Sequence, residues 1–290
     1  MKVAGFSFIK NAVKFQYPIE EALRSILPLC DYVVVAVGNS DDNTRDVVAA
    51  IDKKITIIDT VWDESLKHGG RVLAVETDKA FKAIKADADW CVYIQGDEVM
   101  HEDGYAEVKD AMKKWKSDAA VDGLLFRYRH FYGSYDYVGT SSKWYRNEIR
   151  VIKSDKNIYS YRDAQGFRKG NNKKLRVKPL KAYIHHYGWV REPEAMQAKD
   201  NNFGRYWHGD EWGVQASRTY TGAFDYSQID ALEKFTGTHP AVMQQRIRRA
   251  NWQFDYDLSY NKLKIKDRFK NTLEKLAGRR LFDYKNYKII

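Results

Sequence analysis

Two adjacent carboxylates, Asp97 and Glu98, follow an apolar run in the segment YIQGDEVMHEDG, residues 93–104. A strand end that only has to turn favours Gly, Asn or Pro, so the pair suggests a further role. Mg²⁺ and Mn²⁺ prefer oxygen ligands and are often bound by one or two carboxylates together with substrate phosphates. The spacing alone is equally compatible with a divalent-metal site that shares a diphosphate and with two acids that cap a turn.

The elements around this pair alternate between strands and helices. The sequence predicts strands at residues 3–9, 31–37, 55–62 and 90–94, and helices at residues 18–29, 45–51 and 69–87. Such alternation predicts an α/β fold with a mostly parallel central sheet flanked by helices, and ligands bind parallel sheets outside the carboxyl ends of the strands. The polar clusters GNSDDNT, WDES and QGDE each follow a predicted strand. Their expected convergence at one sheet edge favours the metal site.

The second half of the chain is less regular. The sequence predicts a helix at 105–117, strands at 123–133, 143–154 and 182–191, a basic loop at 159–177, and helical sequence at 193–212. From about residue 228 the pattern becomes basic and helical. We therefore expect a main domain at residues 1–225 and a basic helical C-terminal extension at residues 226–290.

Composition narrows the class of protein. The chain has 290 residues, 44% of them hydrophobic, which predicts a sizeable folded core rather than disorder. Its net charge of +10 favours anionic partners. Cys30 and Cys91 lie in apolar runs and read as reduced, buried thiols. Without a signal peptide or an apolar run of about 20 residues, the protein is expected to be cytoplasmic, either free or peripheral at the inner face of a membrane.

Three segments resemble a known family. They run from SFIKNAVKF to the turn GNSDDNT, from GGRVLAVETDKAF to QGDEVMHED, and over HHYGWVR. In order and spacing they resemble the family 2 glycosyltransferases of the GT-A fold, especially bacterial members that build lipopolysaccharide, capsule and other surface glycans. The resemblance implies an enzyme that transfers a sugar from a nucleotide-diphosphate sugar, most simply a UDP-sugar, with Mn²⁺ or Mg²⁺ bridging the protein and the diphosphate.

The resemblance also assigns candidate ligands. Asp97 matches the metal-binding Asp of the family motif, Glu98 stands at its last position, and Gln95 replaces its first Asp. A later metal ligand falls on His185 or His186, with His186 favoured. Gly38 replaces an Asp that commonly reads the base, so base recognition is expected to move to the end of the third strand or to Asp78. The candidate nucleotide-binding residues are Ser7, Asn39, Asp42, Asp63, Asp78, Gln95 and Asp97, although Asp42 could instead cap a helix.

An inverting transfer needs a base for the acceptor hydroxyl. The family places an acid in the second half of the chain, where Asp163 matches best and Asp210 and Glu211 are alternatives. Asp163 is equally compatible with a salt bridge to a neighbouring arginine. Basic side chains could clamp phosphates and tryptophans could stack on sugars, although surface charge and core packing are the commoner uses: Arg168, Lys169, Lys173, Lys174, Arg191, Trp144, Trp189 and Trp207.

Two competing functions remain open at this stage. A nucleotidyltransferase also has an α/β sheet with an acidic metal site, but it usually carries a Gly-rich basic loop where this chain has FSFIKNA. A nucleic-acid-binding protein fits the charge and the aromatic content, yet the basic residues form no recognisable motif. The expected partners are a nucleotide-sugar donor and a glycan or lipid-linked acceptor, with possible membrane contact through the basic C-terminal helices and no nucleic acid.

Overall fold

The first four strands form the parallel half of the central sheet. In this computed structural model, which describes residues 1–66, 68–208, 222–260, 262–277 and 284–290, the strand order is β3-β2-β1-β4 with all pairs parallel. The strands are β1 (Val3–Ile9), β2 (Tyr32–Gly38), β3 (Ile55–Thr60) and β4 (Trp90–Tyr93). Nearly continuous apolar sequence in β1, β2 and β4 suits strands that are buried on both faces.

Helices cover both faces of this half. They are α1 (Ile19–Ile26), α2 (Thr44–Ala49), α3 (Arg71–Lys82) and α4 (Tyr105–Lys114). Their apolar stripes pack into two clusters of buried residues, one on each side of the sheet. The predicted fold class, an α/β architecture with a largely parallel central sheet flanked by helices, is confirmed.

The second half of the sheet mixes directions. Strand β8 (Asn147–Lys153) pairs antiparallel with β4 and with β6 (Gly123–Tyr132), and β12 (Arg176–Trp189) pairs parallel with β6 and antiparallel with β5 (Glu98–Met100). Strand β12 is longer than the predicted strand at 182–191. Pro179 and a register shift between Pro179 and Tyr183 interrupt its pattern, which hid its first half.

The predicted loop at 159–177 is wrong. This segment forms a small antiparallel sheet of β9 (Ile158–Tyr161), β10 (Gly166–Lys169) and β11 (Lys173–Lys174). The turn between β9 and β10 uses positive φ angles at Arg162 and Ala164 instead of at glycines. A hairpin without Gly or Asn at its left-handed positions carries no turn signal in the sequence.

The last part of the chain packs on the main sheet. Strand β7 (Tyr137–Gly139) pairs with β13 (Leu232–Lys234), and β12 pairs with β14 (Lys288–Ile289). The remaining described helices are α5 (Pro193–His208), α6 (Gln244–Arg248) and α7 (Ile265–Ala277). Residues after 226 thus add two short strands to the helices that the sequence predicts.

A buried ion pair joins two strands of the mixed half of the sheet, β5 and β8. Nε of Arg150 in β8 donates to Oε2 of Glu98 in β5 at 2.7 Å, and Nη2 donates to Oε1 at 2.6 Å. Both side chains are fully buried, and Tyr128 donates its hydroxyl to the same carboxylate at 2.9 Å. Arg150 also donates to the backbone carbonyl of Gln165 at 2.9 Å. Bidentate geometry with further hydrogen bonds offsets the cost of removing both charges from water.

Breaking this pair is expected to destabilise the fold strongly. Arg150→Met leaves the Glu98 carboxylate buried without its cation, which costs about 3–5 kcal/mol of unfolding free energy. Urea unfolding followed by circular dichroism measures the loss. Arg45→Met, which removes an exposed pair with Asp59, is the matched control and is expected to leave stability nearly unchanged. Equal stability of Arg150→Met and wild type would contradict the role given to the pair.

Candidate functional site

The predicted convergence of strand ends forms a cavity of about 730 Å³. Its walls come from the carboxyl ends of β1, β4, β6 and β12, and helix α5 lies across it. Of the three polar clusters expected here, QGDE lines the cavity with Gln95, Gly96 and Asp97. WDES contributes only Trp62, and GNSDDNT contributes none of its side chains. The strand ends therefore meet as predicted, but with fewer polar side chains.

Asp97 and His186 face each other at the centre of this cavity. Nε2 of His186 lies 3.8 Å from Oδ2 of Asp97, and each side chain is 14% exposed. Asp97 follows β4, and His186 lies in β12 opposite Glu98 of β5, so the paired backbones hold the two side chains together. Two of the three predicted metal ligands are thus brought within a distance that one cation can span.

Hydrogen bonding fixes which nitrogen of His186 carries the proton. Nε2 of His130 lies 2.8 Å from the carbonyl oxygen of Tyr145, so it must be the N–H donor there. In a neutral His130, Nδ1 then accepts a hydrogen bond from Nδ1 of His186, 3.2 Å away. Burial lowers the pKa of both histidines, so both rings are neutral near pH 7. The unprotonated Nε2 of His186 therefore points at the Asp97 carboxylate.

This arrangement fits a divalent cation. A nitrogen lone pair and a carboxylate oxygen that face each other have no proton to share, and a metal ion between them resolves the repulsion. Gly188 leaves the required space, because a Cβ there would lie 2.7 Å from Nε2 of His186 and 2.9 Å from Oδ2 of Asp97. Within the described ranges no group of three or more His, Cys, Asp or Glu side chains lies close enough together to hold a metal ion. Other ligands would come from substrate and water.

Two further cations act on Asp97. Burial raises its pKa, but His186 in its protonated form, Lys199 and Arg191 together outweigh burial and hold this pKa below its usual range. Nζ of Lys199, on α5, lies 3.7 Å from Oδ2 of Asp97 and donates to the carbonyl oxygen of Gly188 at 2.7 Å. Burial and Arg191 lower the pKa of Lys199 to about 7. The cavity therefore combines one ionised carboxylate with neighbouring positive charge, which suits an anionic ligand.

Glu98 does not line this cavity. Both its oxygens are bound by Arg150 and Tyr128, so the predicted metal ligand Glu98 is instead part of a buried ion pair. Gln95 does line the cavity, but its amide nitrogen donates to Tyr93 and to the carbonyl oxygen of Ala164. Gln95 thus holds the loop that carries Asp97. His185, the alternative to His186, is buried on the other side of β12 beside Tyr187.

The other predicted nucleotide-binding residues lie outside the cavity lining. Ser7 is fully buried within β1. Asp42 accepts hydrogen bonds from the backbone of Lys14 and Thr44 and so caps the start of α2, the alternative left open by the sequence. The rest make local contacts: Asn39 accepts from Trp62, Asp63 from Ser65, and Asp78 from Ser160.

Trp62 packs at the end of β2, where Gly38 replaces the Asp that commonly reads the base in the family that the sequence resembles. The indole packs against the backbone of Gly38, and a Cβ on Gly38 would lie 2.4 Å from the indole nitrogen. Gly38 is therefore required for Trp62 to sit at the end of β2. Nζ of Lys10 lies 5.5 Å from the ring centroid of Trp62, and Asn11 continues the same wall. In this part of the cavity a cation lies over the ring of a largely buried indole.

Asp163 lines the opposite part of the cavity together with Gln165. Burial raises the pKa of Asp163 above its usual value. Backbone hydrogen bonds and the charge of Arg162 lower this pKa, but by less than burial raises it. Arg168, a possible salt-bridge partner, instead donates to Asn286 and stacks on Tyr161. The alternative bases, Asp210 and Glu211, lie outside the described residues.

The predicted phosphate-clamping cations are mostly engaged elsewhere. Lys169 pairs with Asp122 and Asp155, and Lys173 and Lys174 lie on the small sheet away from the cavity. Arg191 is buried behind Tyr17, with its guanidinium 4.7 Å from the ring centroid. Trp144 and Trp189 do line the cavity, beside Tyr132, Tyr145 and Phe224; the side chain of Trp207 lies outside the described residues.

The sequence did not predict three residues of this site: Lys199, Gly188 and His130. Lys199 comes from a polar stretch of α5 that reads as a solvated face, and only the packing of α5 across the strand ends buries it. Gly188 lies inside the segment HHYGWVR, where a glycine within a strand signals close approach of other groups. His130 carries no motif of its own.

Comparisons with known proteins give fold-level likeness only. No protein-family model matches the chain, and no curated protein matches it. Among solved structures, residues 1–349 of TarS from S. aureus are 13% identical, with a TM-score of 0.42 over 76% of this chain and 73% of that one. TarS 1–349 with UDP-GlcNAc is 15% identical, with a TM-score of 0.41 over 75% of this chain and 70% of that one.

Another solved structure is similar over a smaller region. Glucosyl-3-phosphoglycerate synthase from Mycobacterium tuberculosis, with Mn²⁺, UDP and phosphoglyceric acid, is 16% identical, with a TM-score of 0.30. The likeness covers 45% of this chain and 43% of the synthase. Separately, no helix in the described part of the chain is long and apolar enough to cross a membrane.

A buried acid beside the cavity gives a pH test of the site. Glu148 in β8 accepts a hydrogen bond from Gln165 at 3.2 Å, and burial raises its pKa to about 8, against the lowering effect of Arg150. Because this pKa lies above the ordinary value of about 4.3, the folded protein holds a proton that the unfolded chain has lost. Its contribution to stability is therefore complete at low pH and is lost as the pH rises towards 8.

Glu148→Gln is expected to remove this dependence. Between about pH 5 and pH 8, wild type should lose stability relative to the variant by up to about 1.4 kcal/mol per pH unit. Urea unfolding at each pH measures the difference. Glu20→Gln, at an exposed acid paired with Arg24, should track wild type throughout. Parallel curves for wild type and Glu148→Gln would show that the carboxyl ionises normally.

Proposed function

We propose that this protein is a metal-assisted glycosyltransferase that moves a sugar from a nucleotide-diphosphate sugar to an acceptor hydroxyl. The observation that carries the proposal is the Asp97–His186 pair, which faces a cavity at the carboxyl ends of the strands with an unprotonated nitrogen opposite a carboxylate oxygen. Ligands of α/β sheets bind at this edge. A cation held there by two protein atoms keeps open positions for a diphosphate.

Asp97 and His186 would hold Mn²⁺ or Mg²⁺ through Oδ2 and Nε2. When bound, the ion supplies positive charge that neutralises the diphosphate as it leaves. Lys199 adds a second positive charge 3.7 Å from Asp97, and α5 and the carbonyl oxygen of Gly188 hold its ammonium in place. With a diphosphate bound beside it, the charged form of Lys199 is favoured, so the lysine binds the leaving group together with the metal site.

The donor nucleoside is proposed to lie on the wall formed by Lys10, Asn11 and Trp62. The ammonium of Lys10, which lies over the Trp62 ring, would bind a phosphate of the nucleotide, and the aromatic wall would contact the base. UDP is the proposed nucleotide because the resemblance of the sequence to family 2 glycosyltransferases implies it. No acid remains at Gly38 to read the base, so recognition would come from the ring face and the backbone of this wall.

Asp163 is the proposed base, and the transfer is proposed to be inverting. Asp163 lines the cavity, and burial raises the pKa of its carboxyl towards the range useful for accepting a proton. The aromatic side chains Tyr132, Trp144, Trp189 and Phe224 form a wall for the acceptor, since flat apolar rings pack on sugar faces. A glycan or lipid-linked acceptor of surface polysaccharide synthesis remains the proposal that the resemblance supplies.

Metal-dependent binding of the donor tests the proposal directly. Thermal unfolding is measured with UDP-, GDP-, dTDP- and CMP-sugars, with and without Mn²⁺. At a donor concentration of about 100 times Kd, one nucleotide should raise the Tm of wild type by roughly 5 °C in the presence of metal. Asp97→Asn and His186→Gln should lose the metal-dependent part of this shift, and Lys199→Met should weaken donor binding with or without metal.

Asp63→Asn is the matched control for this experiment. Asp63 is an acid that the sequence places in the nucleotide site, but the structure places it outside the cavity, bound to Ser65. Its variant should keep the full shift. If no nucleotide sugar stabilises the wild type, or if wild type binds oligonucleotides in a salt-sensitive way instead, the glycosyltransferase proposal fails.

Removal of the proposed base should separate binding from chemistry. Asp163→Asn should lower kcat by about 10²–10⁴-fold while the donor-induced Tm shift stays at the wild-type value. Asp200→Asn is the control, because Asp200 lines the same cavity from α5. Turnover is measured as release of the nucleotide from the donor identified above, with water as the acceptor. Full activity of Asp163→Asn with loss of activity in Asp200→Asn would assign the base to Asp200.

A further inference from the structure

Helix α7 turns apolar side chains towards solvent. Ile265 is 87% exposed and Phe269 is 61% exposed. Residues four apart lie on one face of a helix, so these two side chains form a continuous apolar strip. Asp267, between them in sequence, is buried on the opposite side. The helix therefore has the reverse of the usual orientation, in which apolar residues face the core and acids face water.

Basic side chains surround this strip. Lys262, Lys264, Lys266 and Arg268 are exposed, and Lys270 is partly exposed. Between residues 262 and 273 the sequence contains five basic residues and one acid, and that acid is the buried Asp267. The exposed surface of this segment is thus uniformly positive around an apolar centre.

Further apolar residues precede the helix. Leu258 is 50% exposed, and Tyr260 is also exposed. Burial of a large aromatic or branched side chain is favourable by about 1.5–3 kcal/mol of free energy. Exposure of these residues to water is therefore unfavourable unless another surface covers them. A basic segment with apolar anchors is the pattern of helices that lie in the interface of a membrane.

We propose that the α7 face, defined by Ile265, Phe269 and the basic residues 262–270, binds an anionic lipid surface. Charge complementarity selects this occupant, because an unbroken positive rim attracts anionic headgroups while the apolar strip enters the acyl boundary. A lipid surface also needs no shaped groove, and two neighbouring exposed side chains suffice to anchor on it. This proposal does not depend on the enzymatic activity proposed above.

Vesicle binding by the full chain tests the proposal. Purified protein is floated with vesicles of phosphatidylcholine alone and with vesicles of phosphatidylcholine mixed equally with phosphatidylglycerol. We expect flotation only with the mixed vesicles and a loss of flotation as salt is raised. Each basic residue near an anionic surface contributes about fivefold to binding, so Lys264→Glu/Lys266→Glu should reduce binding by more than about 25-fold.

The apolar strip is tested by Ile265→Ser/Phe269→Ser, which should reduce binding at least about tenfold. Val61→Ser is the matched control, because Val61 is 71% exposed but lies at the end of β3. It should bind as wild type does. If the serine variant does not fold, the charge-reversal variant, whose substitutions are exposed, carries the test.

Three results would overturn the proposal. Equal flotation with neutral and mixed vesicles would show that binding does not depend on the charge of the lipid. Wild-type binding by either double variant would remove the role of the α7 face. A wild-type dimer in light scattering that both variants convert to monomers, without vesicle binding by wild type, would show that a second copy covers this face.

Discussion

The buried pair of Arg150 and Glu98 is the interaction on which the rest of the site depends. Arg150 links β5 and β8 and also binds the carbonyl of Gln165, so one guanidinium connects two strands of the mixed half of the sheet to the turn that precedes β10. Arg150 and Tyr128 hold the Glu98 side chain in the interior. The side chain of Asp97, the preceding residue, is therefore directed towards the open edge of the sheet. Two adjacent carboxylates therefore have opposite tasks: Glu98 stabilises the turn, and Asp97 is left with its charge available in the cavity.

Fixed hydrogen-bond partners also determine the protonation of the two histidines in the site. The carbonyl of Tyr145 determines the proton position in His130, and His130 determines it in His186. Second partners of this kind orient the ligands of metal sites and keep their lone pairs available. The backbone carbonyl of Tyr145, just before β8, thus decides the chemistry of an atom two side chains away. Lys199 is held in a comparable way by the carbonyl of Gly188.

Much of this arrangement was accessible from the sequence, and the limits have physical reasons. Alternating strands and helices predicted the parallel half of the sheet, the polar residues after β4 indicated Asp97, and the resemblance to family 2 glycosyltransferases supplied His186. Residue types alone did not separate Asp97 from Glu98, because burial of Glu98 depends on an arginine more than fifty residues away. Asp42 and Asp63 were overvalued for a related reason. Short polar side chains at strand ends often bind neighbouring backbone groups, and both acids do so here.

Strand β12 bears on the order in which the molecule folds. One end of β12 holds His186, and the other end pairs with residues 288 and 289, which lie far later in the chain. Pairings between such distant segments form slowly, because a long loop must close before any contact compensates for the lost entropy. During synthesis, β12 keeps unpaired backbone groups at this end until β14 emerges. The strand that carries the proposed ligand is thus among the last to be completed, and in the nascent chain its open edge is a site for wrong pairing.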